Sequence, residues 1–237
     1  MGHDPDDVRY DEIARAESPR GEVVLRRRTS NGGPAVLELR VNGVFVMDTR
    51  ETTTERALAQ RALELVADPR TVLVGGLGLG FTAHELLADQ RVERVDVVEL
   101  EEALVTWMRD GTVPHGPELL ADRRIRVVNA DVATVVEEAG EATYDLLLMD
   151  VDNGPGHLVH EDNAALYQAG FLASARRALV PGGALVVWTA DPAPDLEAAL
   201  RGLFTSCEQV TIPVELQGRR EEYHLYAARS DPGDAPA

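Results

Sequence analysis

The most constraining stretch of the chain is Val72-Leu73-Val74-Gly75-Gly76-Leu77-Gly78-Leu79-Gly80, an apolar run that ends in glycines and passes at once into the helical pattern Phe81 to Asp89. A run this short and this apolar suits a strand buried on both faces. Glycines let the backbone turn sharply and approach a ligand closely, and the helix that follows presents its positive end. Strand, glycine turn and helix in that order point to an open α/β sheet with a ligand at the turn. The pattern alone fits NAD, FAD and other nucleotides equally well.

The rest of the chain continues the alternation. Strand-like runs at Val95 to Glu99, Ile125 to Asn129, Asp145 to Asp150 and Ala184 to Thr189 are separated by helical patterns at Glu101 to Arg109, Val132 to Ala139 and Asn163 to Leu179. After the helix Asp195 to Phe204 come two strands, Glu208 to Val214 and Tyr223 to Ala228, with no room for a helix between them. The expected fold is a Rossmann-like α/β domain. Its sheet has seven strands, mostly parallel, and ends in an antiparallel C-terminal hairpin. Ahead of it, Glu22 to Arg28, Ala35 to Val41 and Val44 to Asp48 form a small β element, with Asn42-Gly43 as a hairpin turn. The expected divisions are a flexible N-terminus over 1–19, the β element over 20–53, the ligand-binding domain over 54–229 and a disordered tail over 230–237.

Composition narrows the chemistry. All 23 basic residues are arginine, so a Schiff-base lysine and a P-loop lysine are excluded. Cys207 is the single cysteine; it rules out an intrachain disulfide and reads as a small core hydrophobe in a reducing, cytoplasmic setting. The first eleven residues carry no basic and apolar regions of a secretory signal, and no apolar run is long enough to span a membrane. A formal net charge of −18 repels nucleic acid and anionic lipid and attracts cationic amines; it also serves solubility alone.

Acidic residues recur where successive strands end. Glu99 ends the second strand, about twenty residues past the glycines, where a carboxylate accepts both hydroxyls of a ribose. The other reading of Glu99 is a solvated acidic cluster with Glu101 or Glu102. Asp131, after the third strand, suits an adenine amino group or the N-cap of the next helix, or both. Asp150 ends the fourth strand, with Asp152 close behind. In open α/β sheets the ligand lies beyond the carboxyl ends of the strands, so Gly75, Gly76, Gly78, Gly80, Glu99, Asp131 and Asp150 are the candidate cofactor-binding residues. His157, His160, Glu161 and Asp162 could be read as a metal site or as a polar loop; no metal is expected.

These motifs resemble the spermidine synthase family of class I S-adenosylmethionine-binding transferases, over Ala35 to Ala190. Gly75-Gly76-Leu77-Gly78 resembles its glycine loop and Val98-Glu99-Leu100 its ribose-binding segment. Tyr144-Asp145 through Asp150 resembles its strand ending in the catalytic aspartate, and Pro181-Gly182-Gly183 the turn shared by the wider class. The substrate side differs. Gly78 stands where the family carries an Asp that helps hold the donor's propylamine, and Val46 where it carries a substrate-facing Gln. Glu51-Thr52-Thr53-Thr54-Glu55 replaces an Asp-Glu stretch with Tyr and His. Asp150-Val151-Asp152-Asn153-Gly154-Pro155 replaces an Asp-Ser-Ser/Thr-Asp-Pro motif.

The resemblance implies S-adenosylmethionine or its decarboxylated form as co-substrate and transfer of an aminopropyl or methyl group to an amine. Asp150 would steer the amine and accept its proton, and Asp152 would reinforce the negative field. A methyltransferase with another small-molecule acceptor and a non-catalytic adenosyl-binding partner protein are the alternatives. Gly78 in place of Asp removes a repulsion against the intact donor's carboxylate, so the intact donor is expected to bind at least as well as the decarboxylated one. The expected partner is a small cationic amine, with no nucleic acid and no membrane; a homodimer is left open.

Overall fold

The computed structural model describes residues 8–30, 33–151, 153–156, 158, 161–231 and 233, with 161 and 162 described by backbone alone. Strands β1 (Arg9–Ser18), β2 (Gly21–Thr29), β3 (Val36–Val41) and β4 (Val44–Asp48) form an antiparallel sheet in chain order. Asn42 and Gly43 turn between β3 and β4 with φ of 51° and 76°, the paired positive angles of a tight hairpin turn.

Strand β1 corrects the expectation that residues 1–19 are loosely ordered. It pairs with β2 from Arg9↔Thr29 to Ser18↔Gly21, with one register shift at Glu12/Ala14. It is an edge strand whose side chains are mostly exposed, so it carries no apolar alternation for periodicity to detect. Arg15 ties it to Glu22 of β2, and the Arg26 guanidinium lies 4.1 Å over the Tyr10 ring. On β3, the buried Glu38 is met by Arg26 at 2.6 Å and Arg40 at 2.8 Å, which compensates a charge that would otherwise be costly to bury.

Helix α1 (Thr53–Leu65) leads into β5 (Thr71–Gly75), α2 (Phe81–Leu87), β6 (Arg94–Glu99), α3 (Glu102–Asp110), α4 (Gly116–Leu120), β7 (Ile125–Asn129), α5 (Val132–Glu138) and β8 (Tyr144–Met149). A 3₁₀ segment (Glu161–Tyr167), α6 (Ala169–Ala178), β9 (Leu179–Thr189), α7 (Pro194–Leu203), β10 (Ser206–Leu216) and β11 (Arg219–Arg229) complete the chain. The seven strands lie in the order β10-β11-β9-β8-β5-β6-β7. Strands β5 to β9 run parallel, and β11 is antiparallel to both β9 and β10. This is the expected Rossmann-like sheet with its C-terminal edge hairpin.

Successive residues of the central strands feed opposite faces. Val72 and Val74 of β5 join one apolar cluster with Leu58, Leu86, Leu146 and Leu148, whereas Leu73 joins another with Leu147, Phe171 and Leu172. The first cluster also includes Val23, Leu25, Leu39 and Met47. The small sheet therefore packs on the main domain through shared core.

Three further details differ from the sequence reading. The expected helix over 163–179 is broken at Gln168, whose extended backbone (φ −96°, ψ 158°) separates the 3₁₀ turn from α6. The five-residue α4 was not anticipated, being too short to show a period. The terminal hairpin is longer than expected, running to a turn at Gln217 and Gly218, both with positive φ. At its far end, Ser230 N–H donates to Gly183 O at 3.1 Å and Asp231 N–H to Thr205 Oγ1 at 3.1 Å. The tail expected over 230–237 therefore begins pinned, and most of the rest of it lies outside the described residues.

Candidate active site

The carboxyl ends of β5, β6, β7 and β8 open into a cleft of about 700 Å³, roofed by Val23, Leu39 and Met47 of the small sheet. Gly76, Gly78, Glu99, Asp131 and Asp150 all line it, which gathers five of the expected residues in one place. Gly75 and Gly80 do not reach it. A Cβ on Gly75 would meet Val132 and Met149, and one on Gly80, at φ +85°, would meet Leu119 and Met108. These two glycines shape the turn and do not line the ligand cavity.

Gly76 is the tightest point of the loop. Its φ is +94°, and a Cβ there would sit 2.1 Å from the Asp150 carbonyl oxygen. Its N–H donates to Val98 O at 2.8 Å. Most of the other loop N–H groups are also committed: Leu77 to Glu99 Oε2 at 2.9 Å, Leu79 to Met47 Sδ at 3.2 Å and Gly80 to Leu77 O at 2.8 Å. At Gly78, φ +49°, a Cβ would come within 2.6 Å of Met47 Sδ.

Glu99 is buried at the end of β6. Besides Leu77, it accepts from the Glu101 N–H at 2.7 Å through its other oxygen. Burial pushes its carboxyl up from the usual range, and those backbone N–H groups pull it back down. Each oxygen keeps a lone pair for a ligand hydroxyl. The reading of Glu99 as part of a solvated acidic cluster is thus replaced by a buried carboxylate that ties β6 to the glycine loop. Glu101 is itself paired with Arg20 at 2.7 Å. Asp131 caps α5, accepting from Ala133 N–H at 2.8 Å, and lines the cleft as well; the two roles proposed for it are compatible.

Asp150 follows β8, and its N–H donates to Gly75 O at 2.9 Å. Its carboxylate accepts from the Thr82 hydroxyl at 3.2 Å. Burial raises its pKa to about 6, with Thr82 working the other way. Asp152, His157 and His160 lie outside the described residues, as do the side chains of Glu161 and Asp162. Among the described residues no group of three or more His, Cys, Asp or Glu is arranged to hold a metal ion. Cys207 is half-buried with its thiol pushed up to about 11 by burial, as an inert packing residue requires.

The cleft also contains residues that sequence reasoning did not assign. Glu51 and Glu55 enter from just before and within the first turn of α1, Asp191 from beyond the end of β9, and Glu221 and Tyr223 from β11, while Trp188 of β9, whose sequence reading is a core or pocket-wall residue, lines the cleft as well. Glu55 is buried and accepts from the Thr54 hydroxyl at 2.9 Å. Burial first, and then the charge of Asp150, raises its pKa to about 7. Trp188 and Tyr223 stand with ring centroids 5.1 Å apart. The available signal for Glu51 and Glu55 was the stretch Glu51-Thr52-Thr53-Thr54-Glu55, which departs from the family pattern. No local signal marks the β11 pair.

Eight carboxylates in total line the cleft, and among the described residues no arginine or histidine does. Such a cavity repels anions and favours cations. A glycine loop, a buried carboxylate at the end of the next strand and an aspartate beyond the fourth, gathered at the switch point of this strand order, define a Rossmann-like α/β fold with its cleft where such folds bind ligands.

The chain belongs to the Spermine/spermidine synthase domain family, which it matches over residues 51–214. It is 30% identical over 183 residues to a polyamine aminopropyltransferase of Mycobacterium tuberculosis (strain CDC 1551 / Oshkosh), covering 76% of this chain and 33% of that protein. It is 30% identical over 118 residues to putrescine N-methyltransferase 3 of Nicotiana tabacum, covering 50% of this chain and 29% of that enzyme. The stretches matched thus span about a third or less of these two curated relatives. Among solved structures, a spermidine synthase in complex with the transition state analogue AdoDATO superposes with a TM-score of 0.75 at 18% identity, covering 95% of this chain and 75% of that one. Spermidine synthase from Thermotoga maritima gives a TM-score of 0.73 at 18% identity, covering 95% and 74%. Both likenesses bear on the fold. Among the described residues no helix is long and apolar enough to cross a membrane.

Proposed function

We propose that this chain transfers an alkyl group from an adenosyl sulfonium to a small cationic amine, with a di- or polyamine as acceptor. The observation that carries this reading is the cleft itself: eight carboxylates, no cation among the described lining residues, and a glycine loop with Glu99 at one end. The adenosyl end of the donor lies against Gly76, Gly78, Glu99 and Asp131. The amine enters over Asp150. The leaving group is a neutral thioether and needs no acid, so the protein's work is to align the amine, take a proton from it and exclude water.

The donor that suits these walls is decarboxylated S-adenosylmethionine, which makes the group transferred an aminopropyl. Its tail carries an ammonium and no carboxylate. The intact donor adds a carboxylate that would meet carboxylates, and the loop N–H groups of Gly76, Leu77, Leu79 and Gly80 are already bonded within the protein. This outweighs the sequence argument from Gly78. One observation favours methyl transfer from the intact donor instead: no acidic residue stands in the loop to hold a propylamine, and putrescine N-methyltransferases are among the relatives. Incubation of the protein with putrescine and each donor in turn, read by product mass, tests both. Spermidine supports aminopropyl transfer, N-methylputrescine supports methyl transfer, and no product with either donor rejects the reading. A cytoplasmic location and the absence of nucleic acid or membrane partners accompany it, as does reinforcement of the field by Asp152.

A further inference from the structure

Glu55 is a buried carboxylate in the first turn of α1. It lines the cleft together with Asp150, and among the described residues its side-chain partner is the neighbouring Thr54 hydroxyl and no ion pair involves either Glu55 or Asp150. The cations on its own helix are committed elsewhere: Arg56 to Glu85 at 2.8 Å, and Arg61 to Glu64 and Glu208. The other charged groups around it are acidic. Glu51 precedes α1, and Tyr223 of β11 feels Glu221, Glu55 and Glu51 together. A charge buried without a cation is expensive unless a ligand supplies the cation or a proton neutralises it.

We propose that Glu55 is a second catalytic residue, acting with Asp150 as a carboxylate pair that receives the acceptor's ammonium and takes its proton. This rests on the alkyl-transfer reading above and adds to it a base outside the Asp150 segment. The acceptor enters as R–NH₃⁺. One proton passes to the pair, and the freed lone pair on nitrogen forms the new N–C bond. The C–S bond breaks with its electrons going to sulfur, and the sulfonium leaves as a neutral thioether. The product nitrogen becomes R–NH₂⁺–R′, and the proton on the pair is lost to water. Lifting a carboxyl from 4.5 to about 7 makes it a better acceptor from an alkylammonium by about two orders of magnitude. Because the two groups interact, the proton belongs to the pair and not to one residue.

The test has two independent readouts on the full chain. The first is infrared absorption of protonated carboxyl groups across pH 5 to 8, in the native protein, E55Q and D150N, with calorimetry of putrescine binding in two buffers of different ionisation enthalpy. The pair predicts a carboxyl titrating near neutrality in the native protein that is altered in both variants, and proton release on putrescine binding that is lost in E55Q. The second is the pH profile of transfer. E55Q is expected to lower kcat by about a hundredfold and to move the acid limb down by about one pH unit, because the carboxyl titrating near 7 is removed and Asp150, near 6, remains, with donor KM unchanged. An E55Q profile superposable on the native one, or no titration near neutrality in the native protein, overturns the proposal. Absence of transfer with either donor while putrescine still releases a Glu55-dependent proton overturns the transfer reading and leaves the pair standing as an ammonium site.

Discussion

The hydroxyl of Thr82, in the first turn of α2, donates to the Asp150 carboxylate at 3.2 Å. This bond joins the helix that follows the glycine loop to the Asp150 side chain, and the Asp150 N–H, donating to Gly75 O at 2.9 Å, ties the backbone of the same residue to the start of that loop. The Thr82 bond favours the charged form of Asp150 against the burial that raises its pKa to about 6.

Thr82→Val removes that donor. Asp150 then loses the interaction opposing its burial, and its pKa rises further. A hydrogen bond to a charged group is worth about 1.5–3 kcal/mol, so the acid limb of kcat/KM should move up by about one pH unit and activity at pH 7 should fall several-fold. A pH–rate profile checks this. An unmoved limb would mean that Asp150 is not the group that titrates.

Glu99→Gln places an amide NH₂ against one of two backbone N–H groups, Leu77 or Glu101, that the carboxylate now accepts. The change removes a charge-assisted ribose contact and loosens the glycine loop together. Affinity for methylthioadenosine should fall by about tenfold or more, measured by calorimetry, while the sheet persists by circular dichroism. Unchanged affinity contradicts the role given to Glu99.

Glu55 and Asp150 also link stability to pH. Both carboxyls are raised, to about 7 and about 6, so the folded chain holds more protons than the unfolded chain from about pH 4 up to neutrality. Their contribution is fully present below that range and is lost as pH rises through the folded values. The formal net charge of −18 acts in the same direction. The thermal midpoint should therefore be higher at pH 5.5 than at pH 8, and Glu55→Gln should narrow the difference and stabilise the protein at pH 8. A midpoint that climbs with pH across this range would refute the burial of the pair.

The part of the cleft at the sheet edge was legible because every residue in it stands at the end of a short apolar strand with a turn signal beside it. Gly76, Gly78, Glu99, Asp131 and Asp150 follow from strand-end position alone. Glu55, Glu221 and Tyr223 were not legible, because they come from two elements remote in sequence and meet only when β11 inserts antiparallel beside β9. Strand β1 escaped detection for a related reason: an exposed edge strand has no buried face to write into the sequence. The glycines divide in a way the motif conceals, since Gly75 and Gly80 face core side chains. Gly78→Asp, an obvious exchange on family grounds, changes more than charge, because its Cβ would come within 2.6 Å of Met47 Sδ and that side chain must shift.

The acidic cleft makes a prediction about acceptors. A diamine should bind more tightly than a monoamine of equal length, and its affinity should fall as ionic strength rises. Glu221→Gln should weaken the diamine and leave the monoamine nearly unchanged if Glu221 meets the distal ammonium. Equal loss for both amines would instead assign Glu221 to the general field.

The most direct measurement is a side-by-side titration of decarboxylated and intact S-adenosylmethionine into the protein, followed by addition of putrescine and mass analysis of the products. The account predicts tighter binding of the decarboxylated donor and formation of spermidine. Tighter binding of the intact donor with methylated putrescine would overturn the donor assignment, and binding of neither, or of NAD in their place, would contradict the account as a whole.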